Sequence, residues 1–117
     1  MKVIIAGGRD FNDYEKLRIY CDHILEDQTD IEIVSGTARG ADQLGERYAK
    51  EKSYKVTRFP ADWSKGKSAG YVRNEEMAKY ADALIAFWDS KSKGTGHMID
   101  LAKKYKLKLR ICDYTMK

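Results

Sequence analysis

The feature that most constrains this chain is a regular alternation. Short apolar runs of strand length recur, and a stretch with helical spacing follows each of the first four. Residues 2–6 read Lys-Val-Ile-Ile-Ala and stop at Gly7-Gly8, as a buried strand does. Asn12 with Glu15 has the form of a capping box, and Leu17, Cys21, Ile24 and Leu25 then share one helical face. Residues 31–35 predict a second strand, closed by Gly36, and Ala41, Leu44 and Tyr48 a second helix. A third strand at 54–59 ends on Pro60, and a weaker helical stretch spans 69–80. A fourth strand occupies 83–88, Met98, Ile99, Ala102 and Tyr105 mark the last helix, and 107–112 is a fifth strand. Strand and helix in strict alternation imply an α/β fold, a three-layer αβα sandwich around a parallel sheet.

The strand patterns also order the sheet. Residues 3–6 and 83–88 are continuously apolar, as strands covered on both faces are. The third strand (Tyr54, Val56, Arg58) and the fifth (Leu107, Leu109, Ile111) alternate with charged or polar residues and suit the edges. With right-handed crossovers this gives the order 3-2-1-4-5. The connections then diverge between strands one and four, and ligands of such sheets bind outside the carboxyl ends at that point.

Composition narrows the rest. With 117 residues the chain is expected to be one domain over 1–117, and an apolar content of 43% suffices for a core. Lysine and arginine total 22 against 18 acids, a net charge of +4. That mild excess suits an anionic ligand without demanding nucleic acid. The lysines at 103, 104, 106, 108 and 117 read as a solvated face. Cys21 and Cys112 have no metal spacing and fall in apolar patterns, so buried free thiols and a reducing, cytoplasmic setting are expected. The chain opens as a strand rather than a signal peptide, and no apolar run reaches the ~18–20 residues of a membrane helix. His97 has no matching ligand for a metal, and His23 lies inside a helix. There is no phosphate-loop lysine motif, no nucleophile elbow and no Cys-His pair at a recognisable spacing.

Three glycine-bearing loops follow strands one, two and four: Gly7-Gly8-Arg9-Asp10, Ser35-Gly36-Thr37-Ala38-Arg39-Gly40 and Gly94-Thr95-Gly96. All three are expected at one end of the sheet, where glycine lets backbone N–H groups approach a phosphate and a helix N-terminus favours negative charge. Arg9 and Arg39 present planar forks that suit phosphate, or else pair with Asp10 or Asp42. Asp42 suits either a ribose contact or the helix dipole. Trp63 either stacks on a base or covers the open end of the sheet, and Asp62 is placed to accept from a sugar hydroxyl. Lys65-Gly66-Lys67 leads on to Arg73-Asn74, a further basic pair within reach of the crevice, and Trp88 and Asp89 flank it.

Together these stretches resemble the SLOG superfamily, a Rossmann-like group that includes Smf/DprA and the LOG proteins, and within it the YspA-like branch. The resemblance runs from Lys2 to about Ala102. It rests on Gly7 to Phe11, Ser35 to Asp42, Pro60 to Trp63, Gly70 with Arg73, Asn74 and Met77, Ala81-Asp82, and Gly94-Thr95. It implies a SLOG-type nucleotide-binding domain with a pocket for a nucleotide or nucleotide-derived ligand, in sensing or nucleotide metabolism, and with no required cofactor. It also implies a homo-oligomer, since LOG relatives commonly pair as dimers. LOG enzymes are phosphoribohydrolases that cleave an N-glycosidic bond, with the motif Pro-Gly-Gly-x-Gly-Thr-x-x-Glu and an arginine on the preceding helix. Here Arg73 is the counterpart of that arginine and the candidate catalytic residue. Gly94-Thr95 match the later glycine and threonine, but the glutamate position is Met98, and Asp100 is a poorly placed substitute. The DNA-binding relative DprA shares the Ser-Gly-x-Ala-Arg-Gly core of residues 35–40, which makes single-stranded DNA a partner ranked below a small nucleotide.

Overall fold

The computed structural model describes residues 1–114. The elements run β1 (Lys2–Gly7), α1 (Tyr14–Leu25), β2 (Glu32–Ser35), α2 (Ala41–Lys52), β3 (Lys55–Arg58), a 3-10 turn (Trp63–Lys65), α3 (Ala69–Tyr80), β4 (Ala83–Trp88), α4 (Lys93–Lys104) and β5 (Lys108–Asp113). The five strands form one parallel sheet in the order β3-β2-β1-β4-β5, as the apolar patterns predict. Strand limits agree with the sequence reading to within one residue at either end.

Side chains alternate across the sheet, so each central strand feeds two cores. Val3, Ile5, Ile33, Ile85 and Phe87 face α1 and α2, whose Leu17, Cys21, Leu25, Ala41, Tyr48 and Ala49 close that layer. Ile4, Ala6, Val34, Leu84 and Ala86 face α3 and α4, where Met77, Ala78, Met98, Ile99 and Ala102 pack on them. Each fully buried Ile or Leu of this kind contributes roughly 1.5–3 kcal/mol. The edge strands β3 and β5 keep exposed positions, as their alternation requires. Cys21 is buried and Cys112 half-buried, and neither is in a disulfide. Among the described residues, no helix is long and apolar enough to cross a membrane.

Two helix starts differ from the sequence reading. Helix α1 is capped by Asp13, whose carboxylate accepts from the Lys16 N–H at 3.0 Å, and not by Asn12. Glu15 pairs with Arg18 instead of reaching back to the cap. Helix α4 starts at Lys93, so Gly94-Thr95-Gly96 forms its first turn rather than a loop. The cause lies just upstream. Asp89 accepts from the N–H groups of Lys91 (2.8 Å) and Ser92 (2.7 Å), which turns the chain so that Ser92 caps Thr95.

Candidate functional site

Parallel pairing brings the carboxyl ends of all five strands to one edge, and β1 and β4 meet there with Gly7 opposite Phe87. The chains leaving β1 and β4 diverge, one to α1 and one to α4, and a crevice opens between them. Its volume is about 550 Å³. The walls are residues 7–10, Ala38, Arg39, Asp42, Arg73, Asn74, Asp89, Lys91, Ser92, Gly94 and Thr95, with Ala6, Met77 and Met98 as an apolar floor. A second crevice of about 440 Å³ adjoins it, lined by Arg9, residues 36–39, Pro60, Ala61, Trp63 and Arg73. The two share Arg9, Ala38, Arg39 and Arg73, so the arginines stand on a saddle between them.

The saddle is built by close backbone approach. Gly40 sits at φ +79°, ψ −127°, a region glycine alone enters freely, and a β-carbon there would lie 2.2 Å from the Gly8 carbonyl oxygen. The Gly8 carbonyl in turn accepts from the N–H groups of Phe11 (3.2 Å) and Ala41 (3.3 Å), which ties the β1 loop to the start of α2. The N-termini of α2 and α4 both border the crevice and add partial positive charge to it.

Arg73 is held from two sides. Its Nε donates to Asn74 Oδ1 at 2.9 Å, and its Nη1 donates to the Gly36 carbonyl. Asn74 Nδ2 reaches the Gly94 carbonyl and His97 Nδ1, both at 3.3 Å, which couples α3 to the first turn of α4. Arg9 and Arg39 are exposed and form no ion pair among the described residues, so pairing with Asp10 or Asp42 is not their role in the free protein. The second crevice has three arginines and no carboxylate in its lining.

Asp42 is only 6% exposed, and its Oδ2 accepts from the Ala38 N–H at 3.2 Å. Burial pushes its pKa up to about 6, against the pull of that N–H and of Arg73. Ser35 does not face the crevice: its hydroxyl donates to Glu46 at 2.6 Å and accepts from the Thr37 N–H at 3.1 Å. Those bonds hold Thr37 at φ +65° and shape the loop. Asp62 is likewise occupied, since its carboxylate accepts from the Ser64 N–H at 3.2 Å and caps the 3-10 turn. That turn presents Trp63 57% exposed, with its ring edge over Gly70, beside the second crevice rather than over the sheet.

Most of the residues singled out from sequence therefore converge. Gly7, Gly8, Arg9, Asp10, Ala38, Arg39, Asp42, Arg73, Asn74, Gly94 and Thr95 line the first crevice. Gly36, Thr37 and Trp63 line the second. Ser35, Gly40 and Asp62 shape the loops around them, and Gly96 lies in the first turn of α4. Lys91 and Ser92 are wall residues not singled out from sequence, and the Asp89-x-x-Ser92 turn is the signal that marks them. Met98 is 1% exposed in the floor, and Asp100 is exposed and does not line the crevice. Among the described residues no cluster could hold a metal ion.

The family model described as YAcAr (YspA, cpYpsA-related SLOG family) matches residues 1–66. The Gene 61 protein of Mycobacterium phage D29 is 34% identical over 111 residues, covering 88% of this chain and 89% of that one. A solved structure of DNA processing protein A from Helicobacter pylori superposes with a TM-score of 0.70 at 22% identity, covering 95% of this chain. This chain spans 64% of the length of that one, and the likeness shows a shared fold. That structure is described for its unique single-stranded DNA binding mode. It corrects the order of partners expected from sequence, in which a small-molecule nucleotide stood ahead of nucleic acid.

Proposed function

The chain belongs to the YspA, cpYpsA-related SLOG family, and from that premise we propose that it binds single-stranded DNA across the carboxyl end of its sheet. The observation that carries the reading is the saddle of Arg9, Arg39 and Arg73 between two adjoining crevices, with an exposed tryptophan on the far side. An enclosed pocket for one small anion would need only one of these crevices. Two that share their arginines suit a ligand that enters by one and leaves by the other, with a backbone phosphate on the saddle.

The roles follow from geometry. Arg73 is held by Asn74 and Gly36, so it presents a guanidinium already oriented for a phosphate. Arg9 and Arg39 are free to close on the phosphate from above. Trp63 offers a π-face on which one base stacks, a contact that tolerates any sequence. An unpaired strand fits because its bases can splay into the two crevices, whereas stacked duplex bases cannot. The DNA-binding description of the Helicobacter protein, which has the same fold, supports this reading.

The test is retention of a labelled single-stranded oligonucleotide across a salt series, with duplex as comparison. One backbone phosphate neutralised on the saddle implies a slope of log K against log salt of about −0.7. Arg39→Ala should weaken retention at low salt, because only two arginines then hold that phosphate. The absence of retention at low salt, or equal binding of duplex, would refute the reading.

A further inference from the structure

Asp42 is a carboxyl group in the wall of a site that attracts anions. It is 6% exposed, and its Oδ2 lies 2.8 Å from where a β-carbon on Gly36 would stand, with Arg73 Nη1 3.0 Å from the same point. Carboxylate, loop and guanidinium therefore crowd one spot at the bottom of the saddle. Among the described residues, the one hydrogen bond to the carboxylate comes from the Ala38 N–H, on the same loop that shapes the saddle. Among the described residues no cation pairs directly with Asp42. The charged groups that act on it are Arg73 from α3, Arg9 from the β1 loop and Glu46 from its own helix. Arg39, Asp10, Asp89 and Lys91 line the same crevice.

We propose that seating a backbone phosphate on the saddle draws a proton onto Asp42, which then donates to a phosphate oxygen as a neutral acid. The inference rests on the strand-binding reading. An ionised Asp42, itself largely buried, repels the phosphate, whereas the protonated group adds a donor there. The free group is set up for this, because burial already pushes its pKa up to about 6. The sign follows from linkage. The complex holds one more proton than the free protein, so affinity is level below about pH 6 and falls as pH rises above it. The fall approaches about tenfold per pH unit until the Asp42 of the complex itself ionises.

The experiment is fluorescence anisotropy of a rhodamine-labelled oligothymidylate at constant salt from pH 5 to 8, since thymine does not titrate in this range. The native protein is expected to lose about tenfold in affinity per pH unit over part of the range above pH 6. Asp42→Asn should bind with no such slope and at least as tightly as the native protein does at pH 5. Glu46→Gln should retain the slope. A flat profile for the native protein, or a slope that survives in Asp42→Asn, overturns the proton linkage while strand binding stands. No binding at any pH overturns the strand-binding reading, and the linkage with it. If Asp42→Asn does not fold, titration calorimetry of the native protein in buffers of different ionisation enthalpy counts the protons directly. Roughly half a proton or more taken up per site at pH 7 is expected, and none refutes the linkage.

Discussion

Replacing Gly40 by alanine adds one methyl group at the point where the loops after β1 and β2 touch. Gly40 has φ +79° and ψ −127°, and the new carbon would lie 2.2 Å from the Gly8 oxygen and 2.7 Å from the Arg9 carbonyl carbon. Holding a residue with a β-carbon in such a backbone region costs roughly 1–3 kcal/mol. Relieving the overlap requires the Gly8–Arg9 backbone to move, which adds about 1–3 kcal/mol, the cost of an overpacked site. The sum, about 2–6 kcal/mol, is a large share of the 5–15 kcal/mol that holds a typical domain together. Urea unfolding followed by circular dichroism measures it. With an m-value of roughly 1–3 kcal/mol per molar, the midpoint should fall by about 0.7 M or more. A midpoint within about 0.3 M of the native protein would refute the reasoning, because the loops could not then be in the contact described. Where Gly40→Ala is still folded, strand binding should weaken as well, since Arg9 rides on the displaced backbone.

Three further outcomes are expected. Gly94→Val should leave the urea midpoint unchanged or slightly higher, because among the described residues nothing outside its own helical turn lies within 4 Å of its β-carbon position, while weakening strand retention at least tenfold by filling the mouth of the first crevice. Trp63→Ala should cost about tenfold in oligonucleotide affinity, measured by anisotropy, while stability changes by no more than about 0.5 kcal/mol. Glu32 accepts from Thr57 Oγ1 at 2.8 Å and from the Tyr80 hydroxyl, and the Tyr80 bond holds its pKa below the ordinary carboxylate value. A lowered folded-state pKa gives stability that is present above the unfolded value and lost as pH falls through the folded one. Glu32→Gln should therefore be less stable by roughly 1 kcal/mol at pH 7, with the gap closing in thermal melts as the pH falls below the ordinary glutamate value.

The sheet order was legible because burial on both faces leaves a mark on composition. Residues 3–6 and 83–88 contain no polar side chain, so they had to be central, and β3 and β5 betrayed their exposure by alternating. The glycines after β1 and β2 were legible because a β-carbon on Gly7 or Gly40 would lie 2.3 or 2.2 Å from a backbone oxygen, which admits no other residue. Hydrogen bonds within loops were harder to read. Asp13 rather than Asn12 caps α1, and nothing in the pattern separates two adjacent cap formers. Asp62 looked available to a sugar because the 3-10 turn that uses it leaves no periodic signal in three residues. Asp42 was visible as an acid near a helix start, but its burial depends on Arg73 and Gly36 closing over it from distant parts of the chain.

The central place of β1 has a consequence for how the molecule is made. It precedes the other four strands along the chain, yet its two neighbours are Glu32–Ser35 and Ala83–Trp88, one near and one most of the chain away. Until β4 arrives, the inner edge of Val3-Ile4-Ile5 has no partner, and an open apolar edge invites pairing with other chains. The distant pairing also carries the loop-closure entropy that slows folding of such topologies. The same step completes the saddle, because Arg9 and Arg39 precede β4 by tens of residues while Arg73 lies on the helix that leads into it. A shortened chain ending at residue 66, the limit of the family match, would keep two of the three arginines and lose both the third and the strand that closes the sheet. Strand binding during refolding would therefore report the last docking event, so its rate should match the slowest folding phase rather than the appearance of helix.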